Sequence, residues 1–358
     1  MLRIITLSIC LSAITAFSAL SQPIAYIGSN NNNKVSIIDV PTNRIVSVFQ
    51  ITNGSVSDIV VSPDQSTIFF AGFSDNLTAV NTSSNAVIDQ VNTGLVNSFD
   101  ITPDGTRIFL TSSVTDTLTV VRTSDYTVTN VIPLGNAPDG ISITPDGTKA
   151  YIADQNEAAV YVVDTASITV TDIIPIPGGS LVRDICVEPN GGFVYVSSTG
   201  NNRVTVIDTA TEAVIDTVFA GDSPRNIAFT PNGQFAYVPN GTSNDVTVIR
   251  TSDHTVVDTI PTSADNINGV DITPDGAFVY VTAIFSDDVT VISTSSNTVI
   301  DTITGPTLDG LVNGGRFIAN VPPPASNVPT LSQWGLMVMA GILGMVGFMV
   351  IRRSKATA

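Results

Sequence analysis

Between residues 24 and 304 apolar and polar positions alternate with a period of two in short runs, and small polar turns punctuate them. One run recurs in phase along the chain: Val35-Ser-Ile-Ile-Asp39, Leu77-Thr-Ala-Val-Asn81, Leu118-Thr-Val-Val-Arg122, Val160-Tyr-Val-Val-Asp164, Val204-Thr-Val-Ile-Asp208, Val246-Thr-Val-Ile-Arg250 and Val289-Thr-Val-Ile-Ser293. A second marker, a Pro-Asp-Gly turn or a close variant, begins at Pro63, Pro103, Pro145, Pro189, Pro231 and Pro274, at intervals of 40, 42, 44, 42 and 43 residues. A period near forty-two with four short strands per unit is that of a propeller blade, since solenoid repeats are shorter or helical. Seven copies of the first marker predict an all-β chain folded as a seven-bladed β-propeller of four-stranded antiparallel blades.

Each unit parses by turn chemistry. In one of them a strand at 225–230 precedes Pro231-Asn-Gly233, where the proline sets φ and Asn-Gly tolerates a positive φ. Strands at 235–238, 245–249 and 255–260 follow, the last two joined by the turn Thr251-Ser-Asp253. The mature chain begins on the second strand of a blade (24–27), and 309–318 is a degenerate copy of an innermost strand. Pairing that last strand into the first blade closes the ring and removes two exposed edges.

Ala150-Tyr-Ile-Ala-Asp154, Val194-Tyr-Val-Ser197, Ala236-Tyr-Val-Pro-Asn240 and Val279-Tyr-Val-Thr282 each precede a Val-x-Val-Ile type strand. In this the units resemble the YVTN (YNVTN) propeller repeat of prokaryotic surface proteins, over roughly residues 23–320. The resemblance implies the fold and is silent on activity. An intracellular WD-type propeller is disfavoured, because this region has no Trp and one His.

The two ends read as membrane signals. Residues 1–21 form a signal peptide: Arg3, an apolar stretch over 4–20, and small residues Ala19 and Ser21 ahead of a cut at Gln22. A membrane anchor is the competing reading, and Cys10 sits in a poor match to a lipoprotein box. At the other end no charge occurs between Arg316 and Arg352. Within that gap 334–351 is an unbroken apolar helix pattern, about 27 Å long and close to a bilayer's hydrocarbon thickness. Trp334 stands at the outer interface, and Arg352, Arg353 and Lys355 form a basic cytoplasmic tail at 352–358. The run Val328-Pro329-Thr330-Leu331-Ser-Gln-Trp334-Gly335 ahead of this helix resembles the IPTLxxWG (IPTL-CTERM) type of sorting signal, departing by Val328 in place of Ile. That resemblance implies an exosortase-like membrane peptidase as partner and a temporary anchor in the inner membrane. A permanent single-pass anchor is the alternative. The domain order is then signal peptide 1–21, propeller 22–320, proline-rich stalk and sorting motif 321–333, helix 334–351 and tail, with everything before the helix outside the cytoplasm.

Charge narrows the partners. Residues 23–320 hold all 31 acidic and 10 of the 14 basic side chains, a formal charge of −21. Such a surface repels nucleic acid and anionic lipid. Cys186 is the one thiol left after loss of the signal peptide, so no intrachain disulfide forms.

Propeller ligands gather where innermost strands enter the central channel, on the face with the longer loops. The residues predicted there are Asp58, Asn97, Asp139, Arg183, Asp184, Arg225, Asn268 and Asp309. They suit a small ligand, a cation or a glycan; the favoured reading is that they are solvated loop residues or satisfy inner-strand backbone groups. Asp64, Asp104, Asp146 and Asp275 are turn formers, and Asp216, Asp258 and Asp301 mark outer strands facing water. Catalytic furniture is sparse. The single His254 falls in a turn of the opposite face, and of three Glu only Glu157 lies on the loop-rich face. No Cys-x-x-Cys-His is present for haem, the one Trp for stacking a quinone cofactor is Trp334 in the tail, and no cofactor is predicted. Asn-x-Ser/Thr triplets at Asn53, Asn76, Asn81 and Asn240 follow from composition. The sequence therefore predicts a non-catalytic envelope propeller that binds a protein, polysaccharide or small ligand through its loop-rich face. The alternative is a metal-dependent hydrolase of lactonase-like type built from Asp and Asn.

Overall fold

The computed structural model describes residues 23–29, 33–51, 56–72, 76–305 and 308, and the backbone of 315–318. The chain divides into two compact units, Met1–Pro322 and Pro323–Ala358. The second lies outside the described residues, as do the predicted signal peptide, the predicted stalk, the sorting-signal residues Pro329 to Gly335 and the apolar segment 334–351. Among the described residues no helix is long and apolar enough to cross a membrane.

Seven four-stranded antiparallel sheets make up the first unit. Blades 2 to 7 are each built from four consecutive strands, running from Asp58–Val61 in blade 2 to Thr298–Thr304 in blade 7. Blade 1 is assembled from both ends. Its inner strand is Gly315–Ile318, and its other three are Ile24–Gly28, Lys34–Asp39 and Arg44–Gln50. Gly315–Ile318 pairs antiparallel with Ile24–Gly28, Ile318 opposite Ile24 and Gly315 opposite Ile27. The predicted closure is what the chain does.

The two middle strands of a blade are buried on both sides, and their alternation sorts side chains between neighbours. In blade 1, Tyr26, Val35 and Ile37 pack on Ile59, Ile68 and Phe70 of blade 2. The intervening Ala25, Ile27 and Ile38 pack on Tyr280, Val289 and Val291 of blade 7. Seven such clusters occupy the seven interfaces of the ring. Each buried Val or Ile contributes about 1.5–3 kcal/mol, whereas the four ion pairs of the described residues all involve partly exposed side chains worth about 0–1 kcal/mol each. Apolar interfaces, not charges, hold the ring.

Two recurring devices finish the blades. In these turns the Asp or Asn accepts from a backbone N–H two residues later and, in all but the turn that follows Glu188, from a hydroxyl two residues earlier, as Asp104 does from Thr106 and Thr102. The glycine that follows is left-handed, with φ of 71° at Gly105 and 72° at Gly147. Hydrogen bonds from these neighbours hold the Asp104, Asp146 and Asp275 carboxyls below the usual range. Each turn between third and outer strand carries a left-handed residue at one position: Asn43, Asn85, Tyr126, Ile168, Glu212, His254 and Asn297. An aromatic ring from the second strand of the preceding blade meets six of these turns, whereas Tyr151, in the same place before the Glu212 turn, leaves its buried Oη without a hydrogen-bond partner. Tyr237 Oη donates to Asn297 Oδ1 at 2.8 Å, Tyr195 Oη lies 2.7 Å from His254 Nδ1, and Tyr26 reaches Asn85. Phenylalanines meet apolar turns, Phe69 beside Tyr126 and Phe109 in one cluster with Ile168.

Blade 6 departs from the predicted pattern. Its inner strand is Ala228–Phe229, not 225–230, with an isolated bridge from Pro224 to Asn240. Pro239 on the partner strand has no N–H to offer opposite Asn226, so the ladder is interrupted there.

Candidate functional site

The inner strands bring polar side chains to the channel from six blades. A cavity of about 90 Å³ at the loop face is lined by Asp58, Asn97, Asp139, Arg183, Asp184 and Asn268, with Ser57, Ser98, Gly140 and Asn226. It lies at the mouth of a larger space of about 290 Å³ down the channel, walled by Val60, Ile101, Ile141, Ile185 and Ile227 and dotted with Asp100, Ser142 and Cys186. Six of the eight predicted mouth residues thus line the first cavity. Asp309 lies outside the described residues. Arg225 is the exception, and Asn226 lines the cavity from blade 6 in its stead. Gly241 makes the difference: a Cβ there would stand 2.8 Å from Arg225 Nε, so the glycine leaves room for the guanidinium to turn toward the start of blade 7.

Several mouth carboxylates do structural work. Asp58 Oδ2 accepts from Ser98 Oγ at 2.8 Å and from the Phe99 N–H at 3.1 Å, both on the next blade. Its Oδ1 accepts from the Ile59 N–H. Asp184 Oδ2 accepts from the Ile227 N–H at 2.8 Å, one blade on. Deeper in the channel Asp100 receives the Ile143 N–H and Ser142 receives the Val187 N–H. Four successive interfaces, from blade 2 to blade 6, are therefore latched by an inner-strand side chain that satisfies a backbone donor of its neighbour. The sequence favours solvated loops or backbone satisfaction over ligand binding for these mouth residues, and for Asp58 and Asp184 the latch is the role the hydrogen bonds record. Asp100 and Ser142 are not among the predicted residues; their signal is a polar residue at a channel-facing position of an otherwise apolar strand.

Asp139 is the hub of the mouth. Its Oδ2 accepts from Gln155 Nε2 at 2.6 Å and stands 3.7 Å from Arg183 Nε, and Asn97 lines the cavity beside it. Asn97 is itself fixed by Ser113, whose N–H and Oγ both donate to its Oδ1 at 2.8 Å. Burial raises the Asp139 carboxyl above its ordinary value, against the pull of Arg183 and of the Gln155 hydrogen bond. Arg183 keeps 45% of its side chain exposed, against 13% for Asp139. Arg225 is half-buried, and its Nε is buried with no hydrogen-bond partner. Burial first, and the Arg183 charge second, hold its guanidinium below its usual basicity.

His254 is far from this chemistry, bonded to Tyr195 in a turn of the opposite face and packed edge-on against Phe193. Among the described residues no group of three or more His, Cys, Asp or Glu side chains is placed to hold a metal ion.

Residues 187–305 match the family model described as Lactonase, 7-bladed beta-propeller, and residues 328–353 match the IPTL-CTERM motif. No curated protein matches the chain. Among solved structures, a functionally unknown protein from Desulfotomaculum acetoxidans aligns with a TM-score of 0.72 at 17% identity, covering 81% of this chain and 98% of that one. Hydrazine synthase from Kuenenia stuttgartiensis aligns with a TM-score of 0.65 at 21% identity, covering 76% and 98%. The dihydro-heme d1 dehydrogenase NirN aligns at 0.62 and 15%, covering 81% and 66%. At these identities the likeness is one of fold. The chain is a seven-bladed β-propeller that carries an IPTL-CTERM motif at its C-terminal end.

Proposed function

We propose that the protein is exported to the cell envelope and that its propeller, without catalysing a reaction, binds a polar ligand at the loop-face mouth of the channel. On this reading residues 1–21 are removed as a signal peptide. Residues 334–351 anchor the chain in the inner membrane, and an exosortase-like peptidase processes the tail around the motif Pro329 to Gly335. The observation that carries the binding role is the convergence of polar side chains from six blades on one cavity. A fold that only needed its inner strands latched would not also need Arg183, Asn97 and Gln155 gathered round Asp139. The test is affinity capture from native envelopes and glycan arrays with the native chain, Arg183→Gln and Asp139→Asn. Specific retention that both variants lose supports the reading; retention equal in all three defeats it. Mass spectrometry of the protein from membranes and medium checks the tail, and an intact C-terminus in both fractions removes the processing step.

The match of 187–305 to a lactonase model favours a second reading, hydrolysis of a lactone at the same mouth. The residues present do not fit a metal of the kind a metal-dependent lactonase needs: Asp58 and Asp184 are engaged by backbone donors of the next blade, and the Asp139 carboxylate is taken up by Gln155 and Arg183. Turnover of simple γ- and δ-lactones that is lost in Asp139→Asn would establish this second reading over the first.

A further inference from the structure

We infer that the ligand of this mouth is an uncharged polyol, the hydroxyl edge of a sugar or sugar alcohol. The inference rests on the binding role proposed above and names the chemical class that role requires. It follows from a contrast: the charges at the mouth are closed among themselves, and its side-chain amides are not. Asp58 receives three donors, Asp184 receives the Ile227 N–H, and Asp139 receives Gln155 and faces Arg183. Three carboxylates against one guanidinium leave the lining negative, in a propeller of charge −21, so an anion is repelled. A metal ion or an ammonium group would have to draw Asp58 and Asp184 off the donors that latch neighbouring blades. It would also enter beside the Arg183 charge.

The amides are what remains, and two of them are fixed at one end. Asn97 Oδ1 takes both the N–H and the hydroxyl of Ser113 at 2.8 Å, so Nδ2 is the end this amide has to offer. Gln155 spends Nε2 on Asp139, which leaves Oε1 to accept. Asn226 lines the cavity from the interrupted inner strand of blade 6, and among the described residues its side chain makes no hydrogen bond. Held donors thus stand near held acceptors. A hydroxyl group donates and accepts through one oxygen, so adjacent hydroxyls on a rigid ring can answer both at once. A carboxylate supplies acceptors alone and an ammonium donors alone. No aliphatic or aromatic side chain lines the mouth, so a ligand there is read through hydrogen bonds over its whole edge. The apolar walls begin only in the space of about 290 Å³ behind it. A mouth of about 90 Å³ has room for the edge of one ring, not for a length of chain.

The test is isothermal titration of the full chain in mild detergent with glucose, galactose, mannose and mannitol, and with sodium succinate, choline chloride and calcium chloride at matched ionic strength. At least one of the four polyols is expected to bind. Its dissociation constant should rise roughly tenfold in Asn97→Asp, which keeps the acceptor for Ser113 and loses the donor, and in Asn226→Leu. It should move by less than about twofold between low salt and about 0.3 M salt, because the ligand carries no charge to screen. Asn226 has no hydrogen bond to lose, so its variant stays informative if Asn97→Asp folds poorly, and melting curves report which case holds. A glycan array read with the same variants separates a free sugar from the end of a polysaccharide. Polyol binding that neither variant weakens lies elsewhere on the chain and overturns the inference. Succinate, choline or calcium binding that Arg183→Gln or Asp139→Asn abolishes, with no polyol bound, also overturns it and leaves the mouth as a binding site. No probe responding to any mouth variant overturns both the inference and the binding role.

Discussion

Glu188 stands where the other Pro-Asp-Gly turns have Thr102, Thr144, Thr230, Thr273 or Ser62. Those hydroxyls bond the Asp or Asn two residues on, and Thr102 also accepts the N–H of Arg107 five residues on. Glu188 is 3% exposed, and its buried Oε2 has no partner. Burial raises its carboxyl above the ordinary glutamate value, with Asn190 pulling weakly the other way. A carboxyl whose value is higher folded than unfolded favours the fold fully below about pH 4 and loses that contribution as pH rises through the folded value. Glu188→Thr should therefore stabilise the protein at neutral pH by roughly 1–3 kcal/mol, the cost of a buried unsatisfied polar group. The gain should shrink toward acid. Urea unfolding at pH 4, 5.5 and 7 measures it, and a gain that is absent at pH 7 or flat with pH refutes the assignment.

At the scale of strands and turns, what is local was legible and what is long-range was not. The strand runs and Pro-Asp-Gly turns announce themselves within about ten residues, and placing Asp58, Asn97, Asp139, Arg183, Asp184 and Asn268 at one strand entrance needed only the repeat in phase. Arg225 escaped because Gly241, sixteen residues later, gives its side chain another place to go. The ring-and-turn pairs escaped entirely, since Tyr195 and His254 are 59 residues apart and Tyr237 and Asn297 are 60. Their rule, hydroxyl to polar turn and phenyl to apolar turn, is testable in blades 3 and 4. Phe109→Tyr alone buries a hydroxyl against Ile168, and Ile168→Asn alone gives up apolar packing on Phe109. Together they recreate the pair seen at Tyr237 and Asn297, and a double-mutant cycle should show roughly 0.5–1.5 kcal/mol of favourable coupling; strict additivity is the outcome that rejects the rule. The outer strands make a second case. Asp89, Asp172, Asp216, Asp258 and Asp301 each accept the N–H of the following residue, and each sits at or beside a bulge in the ladder to the third strand. A charge and a bulge together blunt an exposed edge. Asp172→Val would leave an apolar edge with the exposed Val170 and Ile173. The stability of the variant should change by no more than about 0.5 kcal/mol, while sedimentation velocity shows concentration-dependent self-association that the native chain lacks.

The propeller is a ring of blades that each touch two neighbours, so its cohesion is a sum over interfaces that only closure makes cyclic. Closure depends on four residues. Gly315–Ile318 completes blade 1, and without it the edge of Ile24–Gly28 is left unpaired facing the channel. The apolar contacts that Ala25, Ile27 and Ile38 make with Tyr280, Val289 and Val291 join blades 1 and 7 and would survive its loss. A chain ending at Ile318 should therefore unfold in one cooperative transition. A chain ending at Thr304 should remain mostly folded but open first at blade 1, giving a separate early transition in denaturant and protease cleavage confined to residues before 58. Because the missing part is a single strand presenting backbone donors and acceptors to a waiting edge, a synthetic peptide covering 305–320 should add to that edge in trans. It should merge the two transitions again, and a peptide with the same composition in scrambled order should not. If the shortened chain unfolds in one step at the same denaturant concentration as the longer one, the ring is held by its interfaces alone and the closing strand is dispensable.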